Sequence, residues 1–524
     1  MKRRNFLSAA PALSASAALA VADFRWSELS AAEASREMAE ERLTSLALTQ
    51  AYLARIAAVD RAGTKLNSVI ELNPDAEGLA AERDAERAAG RLRGPLHGLP
   101  VLLKDNIATH DRMSNTAGSI ALAGVPVARD ATLVVRLREA GAVILGKTNL
   151  SEWANARGKA SVSGWSSRGG QTLNPYALDR SPSGSSSGTG AALAANLALL
   201  GVGTETDGSV TSPAAVQGLV GVKPTLGLVS RHGIVPIAFS QDTAGPMCRS
   251  VADAALLLWA LAGADPADPA TRAQQGRFDR DALLKPAPGA LKGRRLGVAT
   301  NLVEGHGRAT VALFDAALQV LEAAGATLVR APLPQLPAMG ADEMDVLVTE
   351  MAPGMADYLR DFAPAGPFKT LADLVAFNRA HPETLALFGQ EWFEAAVASV
   401  QAGGIKAPKY LKAHAAARRA ARAQGIDAML KRHRLDAIVA PTSGPAWLTD
   451  NVKGDQDTAP AATTPAAVAG YPHVTVPMGQ VSGLPVGLSF FGTAWTDATL
   501  LALAADYEQR TRLRREPQFK PTAI

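Results

Sequence analysis

RSPSGSSSGTGAALAANLALLGVGTETDGS, residues 180–209, is the segment about which the rest of this chain is arranged. It has three parts: a Gly/Ser loop at 183–190, an apolar run at 191–200 in which only Asn196 is polar, and a second turn of small residues at 203–209. The apolar run reads as a buried helix between two hydroxyl-rich turns. Such an arrangement holds two serines at a fixed separation, as a nucleophile and a proton carrier require.

Outward from this segment, helices and short strands alternate. Residues 27–59 read as two helices, the first opened by a capping box of Ser30 and Glu33, the second striped with Leu48, Tyr52, Ile56 and Val59. A charged helix spans about 75–90. A strand at 101–103 ends on Lys104, and 130–141 reads as a helix with Asp130 as N-cap. A buried strand at 142–145 then runs into GKTNLSEWA. Beyond the central segment come a helix at about 250–262 and a helix-rich stretch from 263 to about 430. That stretch contains one strand–helix–strand unit (296–299, 309–324, 327–329). Short strands at 436–440, 473–476 and 486–490 precede a closing helix near 497–509. The alternation predicts an α/β fold with a parallel or mixed sheet.

The 524 residues are 47% hydrophobic and 19% charged, a globular composition able to bury a sizeable core. The net charge of +4 owes three units to Lys2, Arg3 and Arg4, the only charges before Asp23, so without them it is +1. No nucleic-acid partner is expected, and the basic run at 412–422 reads as a solvated helix face. One cysteine, Cys248, excludes an internal disulfide and a multi-cysteine metal site. The eight histidines form no H-E-x-x-H and no pair, so neither metal nor cofactor is expected. Residues 1–22 combine a basic start, a short apolar middle and small residues suited to cleavage. Arg3-Arg4-Asn5-Phe6-Leu7 resembles a twin-arginine signal, so the expectation is export of the folded protein to the periplasm or beyond. The apolar part is too short to span a bilayer, and no stable membrane insertion is expected after cleavage.

Several chemistries compete for the central segment. Gly184-Ser185-Ser186-Ser187-Gly188 matches the G-x-S-x-G elbow, but that elbow follows a hydrophobic strand and this one follows NPYALDRSPS, with its two prolines. A phosphate loop requires Gly-Lys-Ser/Thr, which is missing here. A flexible linker would not run straight into an apolar stretch. A serine site without histidine remains. Ser209 lies on a turn with Gly208 and no bulky side chain, where successive N–H groups can converge on one oxygen. Its hydroxyl requires a base. Lys104, closing an apolar strand, is a candidate because burial disfavours its charge; moving a lysine from about 10.4 to about 7 costs roughly 4.6 kcal/mol. On its own, Lys104 reads equally well as a salt-bridging lysine beside Asp105.

GLPVLLKDNI, SPSGSSSGTGAALAA and GTETDGSVTSPAA, in this order and with the serines 24 positions apart, resemble the amidase signature family. The resemblance extends over nearly the whole chain after about residue 25, including GWSSRGGQTLNPY and AAVAGYPHVTVPMGQ. Within the family it is greatest to exported bacterial peptide amidases, through AERDAERAAGRLRGPLHGLP, KTNLSEWAN and LFGQEW. It implies one large α/β domain, a mixed central β-sheet covered by helices, over 23–524. Within that domain would lie N-terminal helices (27–90), a signature core (about 94–262), a helix-rich insertion (about 263–430) and C-terminal strands with a helix (about 431–510). It also implies a Ser–cis-Ser–Lys triad on Lys104, Ser185 and Ser209, with Ser209 the nucleophile. The oxyanion hole would be backbone N–H of Thr206, Asp207, Gly208 and Ser209, and the peptide between Gly184 and Ser185 would be cis. Two departures line the loop without touching the triad: Ser183-Gly184 where Gly-Gly is usual, and Ser187-Gly188-Thr189 where Gly-Gly-Ser is. The implied reaction is hydrolysis of a small-molecule or peptide carboxamide to carboxylate and ammonia without a cofactor, most specifically the C-terminal amide of peptides. The alternatives are a general aliphatic or aryl amidase, a glutaminase subunit of an amidotransferase, a silent periplasmic binding protein, and an esterase using His97 or His232.

Overall fold

The computed structural model describes residues 24–285 and 288–523; the expected targeting segment, residues 1–22, lies outside them. Among the described residues, eleven strands form one sheet. In chain order the strands are β1 (Val69–Leu72), β2 (Pro100–Lys104), β3 (Val143–Thr148), β4 (Trp165–Ser166), β5 (Gly170–Gln171), β6 (Leu200–Glu205), β7 (Val220–Lys223), β8 (Thr243–Cys248), β9 (Arg295–Ala299), β10 (Thr327–Ala331), β11 (Ala437–Pro441), β12 (His473–Val481) and β13 (Leu484–Phe491). The sheet order is β1-β3-β2-β6-β8-β7-β12-β13-β11-β9-β10, and β4 pairs with β5 as a separate hairpin. β3, β2 and β6 run parallel, as do β11, β9 and β10. The strands between them, from β8 to β13, pair antiparallel. The result is one large domain with a mixed central sheet.

Local chemistry explains most boundaries. Ser30 and Glu33 form the expected capping box of the helix Ala31–Ala39, and Ser250 caps Val251–Leu261. β12 and β13 are longer than their apolar centres suggest because Ser482 and Gly483, both at positive φ, form a two-residue hairpin between them. Positive φ at both central positions gives the turn whose twist matches the paired strands.

Two sequence expectations are corrected. The run 191–200 is not one helix: the helix is Ser187–Ala194, Asn196 breaks it at φ 57°, and Leu200 already opens β6. A strand thus delivers the second turn. The helix beginning near 130 is Thr132–Glu139 and has no side-chain cap. The Asp130 carboxylate instead accepts from the His110 N–H at 2.6 Å and from Arg138 Nε at 2.9 Å.

The helix Ser187–Ala194 is wholly buried and packs on β2, β3, β6 and β8. Apart from Leu193 the helix is built of Ser, Gly, Thr and Ala, small residues that let its backbone approach the sheet closely. Among the described residues, no helix is long and apolar enough to cross a membrane.

Candidate active site

Lys104 is the last residue of β2 and fully buried. Alternation along the strand sends it to the face opposite Leu103 and Asp105. Its Nζ lies 2.7 Å from Ser185 Oγ, 2.9 Å from Thr204 Oγ1 and 3.2 Å from Thr204 O. Thr204 stands on β6, the next strand, and its hydroxyl oxygen also accepts from Asn106 Nδ2 at 3.0 Å. No carboxylate touches the amine among the described residues. Burial pushes Lys104 down to about 7, against the opposing pull of Glu205 and Asp242. A neutral amine has two N–H donors and one lone pair. The donors match the two oxygens of Thr204, and the lone pair faces the Ser185 hydroxyl.

The Gly184–Ser185 peptide is cis. Ser185 is buried, and its carbonyl accepts from the Ser151 N–H at 3.1 Å. One residue on, the Ser186 N–H donates to the Ser209 carbonyl at 3.1 Å, joining the two turns. The Ser186 hydroxyl donates to Thr204 O at 3.1 Å and accepts from the Thr204 N–H at 3.2 Å, so it is occupied as a brace. No strand precedes it, as an elbow would require. Gly188 is a close approach: its N–H donates to Asn149 O at 3.0 Å, and an added Cβ would lie 2.7 Å from Asn149 N.

The second turn leaves β6 at Glu205 and enters the helix Thr211–Val216. Gly208 takes φ +75°, which a side chain would resist. Glu205 gathers the far end, accepting from the N–H of Val210 at 2.9 Å and of Thr211 at 2.8 Å. Thr206 Oγ1 donates to Asp242 Oδ1 at 2.5 Å, and Asp207 Oδ2 accepts from Thr464 Oγ1 at 2.6 Å. With the turn held by side chains, the N–H groups of Asp207, Gly208 and Ser209 donate to nothing among the described residues. Ser209 is 8% exposed, whereas Lys104 and Ser185 are at 0%. Of the three it is the one that solvent reaches.

The two candidate histidines lie elsewhere. His97 Nε2 is 2.8 Å from Arg83 O, and the His232 ring packs against Phe362. Among the described residues no group of three or more His, Cys, Asp or Glu is arranged to hold a metal. Sequence reasoning missed Asn106, Thr204, Glu205, Gln241, Asp242 and Glu343. Thr204 and Glu205 sit inside the central segment, where strand alternation would have turned Thr204 toward the site. Asp242 and Gln241 bond Thr206, and Glu343 bonds Gln241, only through the tertiary fold, and none of the three has a local signal.

A fully buried lysine on a serine, beside a turn with free N–H groups and an accessible serine, is a site for acyl transfer. The Amidase family profile matches residues 47–501. The chain belongs to the amidase signature family and is a hydrolase of carbon–nitrogen amide bonds. It is 39% identical to the "Probable amidase At4g34880" of Arabidopsis thaliana over 492 residues, 92% of this chain and 89% of that protein. It is 36% identical to one subunit of the glutamyl-tRNA(Gln) amidotransferase of Renibacterium salmoninarum, over 92% of this chain and 93% of the other. Among solved structures, the native peptide amidase from Stenotrophomonas maltophilia is 53% identical, with a TM-score of 0.91, covering 95% of this chain and 100% of that one.

Proposed function

We propose that this amidase removes the C-terminal carboxamide of peptides and leaves internal peptide bonds uncut. The mechanism rests on one observation, the 2.7 Å contact between a buried Lys104 amine and the Ser185 hydroxyl. The substrate class is supported by the 53% identity to a peptide amidase over nearly the whole chain.

Ser209 Oγ attacks the carboxamide carbon and passes its proton through the Ser185 hydroxyl to neutral Lys104. The carbonyl oxygen becomes an oxyanion, and the N–H groups of the 206–209 turn are placed to donate to it. Lys104 returns the proton through Ser185 to the leaving nitrogen, and ammonia departs from an ester on Ser209. Water then attacks that ester, gives its proton to the same relay, and releases the carboxylate with Ser209 restored. Ser185 both donates and accepts at each step, which a hydroxyl does without changing charge.

The test is to incubate purified enzyme with a peptide amide, free glutamine, a fatty amide and an aryl amide, following ammonia and product mass. The expected result is ammonia from the peptide amide and a product heavier by the exchange of NH2 for OH, with no internal fragments. Internal fragments, or ammonia from glutamine alone, would refute the peptide-amidase reading; the latter would favour the amidotransferase-like alternative.

A further inference from the structure

Beside the turn that carries Ser209 stands a pair of carboxyl groups the relay does not use. Asp207 Oδ2 is satisfied by Thr464 Oγ1, but Oδ1 is buried and receives no hydrogen bond among the described residues. The carboxyl of Glu343, first residue of the helix Glu343–Phe362, lies close enough to interact with the Asp207 carboxyl, and the Thr463 hydroxyl stands beside Asp207 as well. Two ionised carboxylates in contact repel and have no donor between them; one proton turns the contact into a hydrogen bond. Gln241 ties the same two elements. Its Nε2 donates to Glu343 Oε1 at 2.7 Å and to the Thr206 carbonyl at 3.2 Å.

The surroundings favour holding that proton. Glu205 on β6 adds a further negative charge near Asp207, and Asp242, bonded to Thr206, adds another beside the turn. The Lys223 charge on β7 opposes this at Asp207, and the Lys223 Nζ donates to the Pro224 carbonyl. Burial, and then the Asp207 charge, hold Glu343 above the ordinary carboxylate range. Burial raises Asp207 as well.

We propose that Glu343 and Asp207 share one proton, and that this bond fastens the helix Glu343–Phe362 to the 206–209 turn, making Glu343 a positioning residue for amide hydrolysis. The proposal rests on the reading of Ser209 as nucleophile. While the proton is held, the turn keeps its N–H groups aimed together. Once it is lost, two negative charges separate, the Gln241 bridge is pulled from the turn, and the oxyanion site loosens. Activity therefore falls on the alkaline side through kcat more than through KM.

The experiment is the pH dependence of kcat and kcat/KM on one peptide amide for wild type, E343Q, D207N, E343A and S209A. E343Q supplies an amide N–H to Asp207 at every pH, and D207N supplies one to an ionised Glu343. Both are expected to lose the alkaline limb while keeping the acid limb set by Lys104. E343A supplies nothing, and kcat is expected to fall about tenfold or more across the range. An alkaline limb that persists unchanged in both E343Q and D207N overturns the proposal, as does a wild-type profile in E343A. Turnover retained by S209A overturns instead the nucleophile reading beneath it, whatever the alkaline limb shows. Should E343A fail to fold, the E343Q and D207N profiles decide.

Discussion

Two buried lysines lie at or next to the C-terminal ends of neighbouring parallel strands, and of the two only Lys104 bonds a serine. Lys104 closes β2, and Lys147 lies one residue before the end of β3, paired with Leu103 in the β2–β3 register. Both are fully buried, and burial depresses both. Lys147 Nζ donates to the Ile107 carbonyl at 2.6 Å and to Asn115 Oδ1 at 3.0 Å, with the charges of Asp105, Asp111 and Glu71 nearby. Lys104, with the charges of Glu205 and Asp242 nearby, differs in its close partners: two hydroxyls, those of Ser185 and Thr204, and the Thr204 carbonyl. The ladder explains the split: Asp105 follows Lys104 in the chain yet points to the other face, where it meets the charges of Lys147 and Arg168. Burial alone does not make a lysine a base. What matters is burial among groups that tolerate its neutral form and include one hydroxyl able to relay a proton.

The largest effect expected from this contrast is at Lys104. K104A and K104R should each lower kcat/KM by ~10^2–10^4-fold, the share a positioned base supplies. K104R should be no better than alanine, because guanidinium stays protonated. Steady-state rates on a peptide amide check this, and an active K104R would make the two lysines equivalent as bystanders. At Lys147 the effect should move to stability. K147M leaves the Asp105 carboxylate without its lysine and should cost about 3 kcal/mol in urea unfolding, with kcat of the folded enzyme within about threefold of wild type. An inactive K147M of normal stability would erase the distinction. The smallest effect is expected at Ser186, a brace on Thr204. S186A should cost about 1 kcal/mol and lower the rate less than about tenfold. Complete loss of activity there would restore the G-x-S-x-G elbow that the strandless approach argues against.

The sequence made the framework legible wherever a signal was local. The Ser30/Glu33 capping box, the apolar strand before Lys104 and the strand–helix–strand unit of β9 and β10 all stand where patterning placed them. The apolar run 191–200 misled because uninterrupted hydrophobicity does not distinguish a buried helix from a buried strand, and both occur in it. Asp130 looked like a helix cap, but its carboxylate is taken by His110 and Arg138, a tertiary choice. Residue chemistry makes Ser209 and Lys104 candidates, while Ser185 and the joining of the three into one triad come from the family resemblance. From residues alone, Lys104 was as plausible a partner for Asp105, and only the opposite faces of β2 separate the two. The supports of the turn were least visible: Asp242 lies 36 residues from Thr206, and Glu343 lies 102 from Gln241.

The central claim is that Lys104 works as a neutral base, and the acid limb of the pH–rate profile tests it most directly. Below its depressed pKa Lys104 is protonated and the relay is blocked; above it the amine is free. With burial holding the group at about 7, kcat/KM on a C-terminal peptide amide should rise with pH through a single ionisation near neutrality. In K104A the residual rate should lose that ionisation. A wild-type rate that stays flat through neutrality, or a limb of unchanged midpoint surviving in K104A, would contradict the assignment of Lys104 as the base.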